Sequence, residues 1–154
     1  MTAQLGNVVK WSVAVMATLL IVAQFIPTNR TNPPVQSDVQ APAAVKAILV
    51  KACFDCHSHE TGWPWYAQVA PLSWWINGHV NEGRKDLNFS RWPTFDFMTQ
   101  DLLLREIDKQ VAAGKMPPRS YAVGHPEARL NENERQALLE WARTGRTDDS
   151  DLNF

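Results

Sequence analysis

The chain has 154 residues, 45% of them hydrophobic, and a formal net charge of -1. Beyond an apolar N-terminus, that length leaves one domain of about 100 to 120 residues, whose core is marginal unless something adds to it. A nucleic-acid partner is excluded because no basic run could neutralise successive phosphates; residues 1–30 hold two basic and no acidic side chains, leaving 13 basic against 16 acidic in residues 31–154.

From Val8 to Ile26 the chain is almost continuously apolar, broken by Lys10 near one end and Gln24 near the other. At about 1.5 Å per residue such a helix just spans a hydrocarbon core of about 30 Å. Residues 1–27 are therefore read as a membrane anchor or a signal peptide. The stretch after the apolar run, Gln24 to Arg30, lacks a small-x-small cleavage site, which favours a retained anchor. Lys10 and the free amine keep the short N-terminal end in the cytoplasm and send the remainder outward, although Arg30 weakens the contrast. The expectation is a single pass through a bacterial inner membrane with the domain in the periplasm. Residues 28–41, with Asn32-Pro33-Pro34 in the middle and no helical periodicity, read as an extended tether.

In Ala43–Ala52 the positions Ala44, Ile48 and Ala52, flanked by Val45 and Leu49, form an amphipathic helical stripe. It leads into Cys53-Phe54-Asp55-Cys56-His57, which holds both cysteines of the chain. Two thiols three apart, followed at once by an imidazole, are what covalent attachment of one c-type haem requires. Cys53 and Cys56 can each add to a vinyl group as a thioether, and His57 can bind the iron as proximal ligand. Other readings are a thioredoxin-like redox pair, for which no preceding strand is evident, and a zinc site completed by His59, His79 or His125. A plain disulfide is a further reading, but it leaves the placement of His57 as coincidence.

Gly62 and Pro64 among Trp63, Trp65 and Tyr66 predict an aromatic turn. Pro71 suits a helix start, with Leu72, Trp75, Ile76 and His79 on one stripe and an end near Arg84. A further helix over Thr99–Ala113 carries Leu103, Ile107, Val111 and partly Leu104, and Gly114 stops it. The last helix starts at Asn131, an N-cap with Glu134 three residues on, and runs to Gly145. No run alternates with period two, so the class is all-α, with the haem domain expected over 42–146 and a polar tail at 147–154.

The opposite face of the iron needs a ligand, and Met116 in Gly114-Lys115-Met116-Pro117-Pro118 suits it, because a helix stop and two prolines make a stiff loop. His79, on the apolar stripe of its helix, is the alternative. His59 is too close to His57 to reach the other face, His125 before Pro126 belongs to a surface turn, and Met98 beside Phe95 and Phe97 reads as core. Seven tryptophans suggest a large flat object to pack on, with Trp63, Trp65, Trp74, Trp75 and Trp92 as walls and Arg84 as a propionate partner.

The haem motif extended through Ser58-His59-Glu60-Thr61, with Trp63-Pro64-Trp65-Tyr66, Glu82-Gly83-Arg84, Leu87-Asn88-Phe89-Ser90, Met116-Pro117-Pro118 and His125-Pro126, resembles the bacterial haem-binding domain family of membrane-anchored, c-type cytochrome-like proteins. The resemblance covers nearly everything after the anchor. It implies one covalent haem c through Cys53 and Cys56, His57 as proximal ligand, a cytochrome c-like helical fold and an exported domain. A His57/Met116 pair would make the iron six-coordinate, suited to passing single electrons to an unidentified redox partner protein. The expectation is an electron carrier and not an enzyme, since no distal His and Arg pair is recognisable by spacing. A haem-based sensor with a labile sixth ligand is the alternative.

Overall fold

In this computed structural model, which describes residues 2–145, seven α-helices form among the described residues: Thr2–Ala23 (α1), Ala43–Ala52 (α2), Phe54–His57 (α3), Leu72–Asp86 (α4), Phe97–Ala112 (α5), Arg119–Gly124 (α6) and Glu132–Thr144 (α7). Short 3-10 turns at Trp65–Gln68, Phe89–Thr94 and Pro126–Ala128 join them. No strand occurs among the described residues, and the chain is all-α with an apolar N-terminal helix. The tail read at 147–154 lies outside the described residues.

The chain divides into two compact units. One comprises the described residues up to Thr31 together with Trp63–His79. Its α1 contains a 20-residue stretch, Gln4–Ala23, long and apolar enough to cross a membrane. The helix stops three residues short of the predicted Ile26, where the Gln24 side chain donates to Leu20 O at 2.8 Å and so satisfies a terminal carbonyl.

The other unit, Asn32–Gly62 and the described residues from Val80 on, contains the hydrophobic core. Here α5 packs on α7, and α2 packs on α3 and α7. Val45, Ile48 and Leu49 of α2 meet Leu104, Ile107 and Val111 of α5 and Leu138, Leu139 and Ala142 of α7. The α2 stripe is centred on Val45 and Leu49, and Ala44 is exposed, because the larger side chains fill the space between helices better than alanine does. Phe54 stacks on Phe89 with ring centres 5.3 Å apart, and Trp92 continues the stack. The N-terminus of α7 carries the predicted capping box, Asn131 accepting from Glu134 N and Glu134 accepting from Asn131 N, both at 3.0 Å.

Several expectations are corrected. Residues 28–41 have no regular structure, but from Asn32 on they are no free tether. Gln36 N and Ser37 N donate to Ser90 O at 3.1 and 3.2 Å, the Asn32 amide donates to Thr61 O at 2.9 Å, and Val39 is buried. An apolar side chain with a socket and backbone groups with partners give this segment reason to stay. On α4 the buried residues are Ser73, Val80 and Gly83, while Leu72, Trp75 and His79 are exposed. Of the predicted stripe only Ile76 is half-buried, and the packed face is made by Ser73, Val80 and Gly83 instead. Met98 is exposed at 66% instead of belonging to the core.

Candidate functional site

The α2 helix ends at Ala52, and Cys53 N still donates to Leu49 O at 2.9 Å. Cys53 then breaks the helical course, and the single turn α3 carries Phe54, Asp55, Cys56 and His57. Phe54 is the buried anchor of this turn, held in the core against Phe89, so the motif is fixed from beneath. Both thiols are free and partly exposed, as addition to a vinyl group requires.

His57 Nδ1 lies 2.8 Å from Gly83 O and 3.3 Å from Leu87 O. Carbonyls only accept, so Nδ1 carries the proton and Nε2 is left as the lone-pair nitrogen, the second-shell arrangement by which a ligating histidine is oriented. Burial holds the imidazole below its ordinary pKa, opposed by the two carbonyls, which keeps it in the neutral, ligating form.

Burial pushes the Cys53 thiol up to about 12, with a smaller contribution from Cys56. Cys56 is raised to about 11, mainly by burial and then by Asp55, against an opposing effect of Arg84. A thioredoxin-like pair needs a depressed thiol pKa, so these cysteines do not match that chemistry. Among the described residues no three His, Cys, Asp or Glu side chains gather as a metal-ion site would need, so the zinc reading has no geometry.

The surroundings of the motif are densely bonded. Asp55 Oδ1 accepts from Gly62 N at 2.8 Å and Oδ2 from the Tyr121 hydroxyl at 2.6 Å, while Asp55 O accepts from the Thr61 hydroxyl at 2.7 Å. Arg84 Nε donates to Ser58 O at 2.7 Å, and its Nη2 donates to Asn32 Oδ1 at 2.8 Å and to Thr61 Oγ1 at 2.9 Å. Arg84, read as a propionate partner, is thus a bracket across the residues following His57. His59 is buried between Pro34 O, 2.9 Å from Nδ1, and the Asn88 amide, 2.9 Å from Nε2, and its position is structural.

Gly83 was legible in the sequence only as a glycine inside a helix. A Cβ there would sit 2.6 Å from Cys56 O, so α4 can approach the motif closely enough to offer Gly83 O to His57 only with glycine at this position.

Met116 is partly buried and packs against the same core cluster as Cys53. Its loop is fixed at the end of α5: Gly114 has φ of 63°, and Lys115 N and Met116 N both donate to Gln110 O, at 2.9 and 3.3 Å. His79, the alternative ligand, is exposed; its Nδ1 lies 2.9 Å from Trp75 O and its ring centre 4.3 Å from that of Trp75. His125 makes the expected local contact, Nδ1 lying 3.2 Å from Tyr121 O with the two rings stacked. Of the tryptophans read as haem walls, Trp92 is buried core, while Trp63, Trp65, Trp74 and Trp75 belong to the unit that contains α1.

Free thiols, a neutral imidazole with Nε2 left to ligate, and a thioether in a stiff loop on the same core form a donor set that fits haem. No curated protein and no solved structure matches the chain. A model of the haem-binding domain family matches residues 18–144, which takes in the motif, both packed helices α5 and α7, and Met116. On that match, well over half its length, the chain belongs to the haem-binding domain family.

Proposed function

We propose that the chain is a membrane-anchored monohaem c-type cytochrome that carries single electrons on the periplasmic side of a bacterial inner membrane. Cys53 and Cys56 would hold the haem through thioethers, and His57 Nε2 and Met116 Sδ would be its iron ligands. The haem, when bound, supplies the one-electron redox couple.

The chain's own residues hold and insulate. Gly83 O and Leu87 O orient the His57 ring and keep its proton on Nδ1. Phe54 and Phe89 exclude water beneath the motif, which raises the weight of every polar contact around it. With Met116 as a second iron ligand the haem would keep no open position for substrate, so the role is carriage and not catalysis. Retention of α1 as an anchor, with Lys10 on the inner side, keeps the domain near membrane-bound redox partner proteins.

The observation that carries this reading is the His57 Nδ1 contact with Gly83 O beside two free thiols. Its test is the full chain expressed with a c-type haem attachment system. Haem that survives denaturing electrophoresis, a pyridine haemochrome spectrum typical of two thioethers, and a reversible one-electron titration support the reading. Covalent haem that is high-spin and takes up carbon monoxide rapidly supports the sensor alternative, and haem lost on denaturation ends the c-type reading.

A further inference from the structure

We propose that the tryptophan-rich segment Trp63–His79 is a membrane-surface contact, lying in the headgroup region of the phospholipid bilayer where α1 leaves it; the inference rests on the reading of α1 as a retained anchor. Between Glu60 and Glu82 the chain has no Asp, Glu, Lys or Arg, but it has four tryptophans and a tyrosine. A water-facing surface of this length without a formal charge is unusual for a soluble domain, whose exposed face normally carries such groups. Amphipathic indole rings are favoured at the boundary between hydrocarbon and water.

Within its unit this segment is bonded to the end of the membrane helix. Gln24, the residue directly after the apolar stretch Gln4–Ala23, donates from Nε2 to Ala70 O at 3.2 Å and accepts from Ala70 N at 3.0 Å. Arg30 Nη1 donates to Ala67 O at 3.4 Å, and the Asn77 amide donates to Asn29 O. A residue one position beyond a membrane-spanning stretch lies in the interfacial layer, so Ala70 lies there too. The side chains around Ala70 point outward: Trp65 is 76% exposed, Trp75 49% and Val69 45%. Core packing does not account for these rings, and the headgroup layer at Gln24 supplies an environment that matches both their apolar faces and their indole N–H groups.

The test uses the full-length, haem-loaded protein in phosphatidylcholine vesicles containing a phospholipid with a photoactivatable diazirine near the glycerol. After illumination, adducts are located by peptide mass spectrometry. Adducts on α1 and on residues 63–79 are expected, with a several-fold loss at 63–79, and none at α1, in the Trp65→Gln/Trp75→Gln variant. Labelling of α1 without labelling of 63–79, or labelling of 63–79 undiminished in the double variant, overturns the inference while leaving the anchor intact. Absence of adducts on α1 overturns the anchor reading and this inference with it.

Discussion

The Tyr121 hydroxyl donates to Asp55 Oδ2 at 2.6 Å, which ties α6, the helix following the Met116 loop, to the residue between the two thiols. Asp55 Oδ1 is already taken by Gly62 N, so the carboxylate is held at both oxygens. A hydrogen bond to a charged group contributes about 1.5–3 kcal/mol, and the partial exposure of Tyr121 favours the lower end. Tyr121→Phe is expected to lower the unfolding free energy by about 1.5 kcal/mol. Urea denaturation followed by circular dichroism measures it; an unchanged midpoint means that the contact contributes nothing net.

The same contact has a pH signature. Burial of the phenol, and then its hydrogen bond to the Asp55 carboxylate, raise the Tyr121 pKa above the ordinary tyrosine value of 10.0. The folded state thus holds this proton where the unfolded state releases it, so the contribution is complete below about pH 10 and falls away as pH rises further. In the wild-type protein, stability should decline above that pH more steeply than in Tyr121→Phe. Parallel curves for the two proteins would show that Tyr121 does not titrate with unfolding.

Two glycines of one helix are expected to respond oppositely to alanine. At Gly83 a Cβ would meet Cys56 O at 2.6 Å, and since that oxygen is backbone and a Cβ has no rotational freedom, α4 or the motif must shift. Overpacking of this kind costs about 1–3 kcal/mol, and the shift also loosens the Gly83 O contact with His57 Nδ1. At Gly78 nothing lies within 4 Å, so alanine there stabilises α4 by about 0.5–1 kcal/mol through helix propensity. Thermal unfolding of the two variants separates the effects, and equal shifts of the same sign would refute the close-approach argument.

The parts of this molecule that read correctly from sequence are those whose signal is local. The Asn131/Glu134 capping box and the α5 apolar repeat each depend on neighbours within a turn or two. What escaped depends on distant chain. The α4 stripe was assigned to the larger side chains, yet Gly83 is buried because the helix there lies against the Cys56 backbone, which periodicity does not encode. The roles of Arg84 and Asp55 depend on partners at Asn32 and Tyr121, separated by 52 and 66 positions, and no spacing rule links them. Val39 was placed in a tether because prolines and polar residues surround it; one buried valine outweighs that composition.

The proposed choice of Met116 over His79 as sixth ligand rests on how the two side chains are held. Met116 lies in a loop whose course is set by the left-handed Gly114 and by two N–H groups bonded to Gln110 O, and its side chain packs against the core that also receives Cys53. His79 has its Nδ1 engaged with Trp75 O and its ring against the Trp75 indole, on an exposed face of α4. A ligand is best presented without a large ordering cost, and the Met116 loop has that property because its backbone is already fixed. Met116→Ala in the haem-loaded protein should abolish the weak far-red charge-transfer band of a methionine-ligated ferric iron and convert the spectrum from low-spin to high-spin. It should also lower the reduction potential, since loss of the thioether favours the ferric state. His79→Ala should leave the band, the spin state and the potential unchanged. The reverse pattern, with the band insensitive to Met116 and the spin state sensitive to His79, would transfer the sixth position to the histidine.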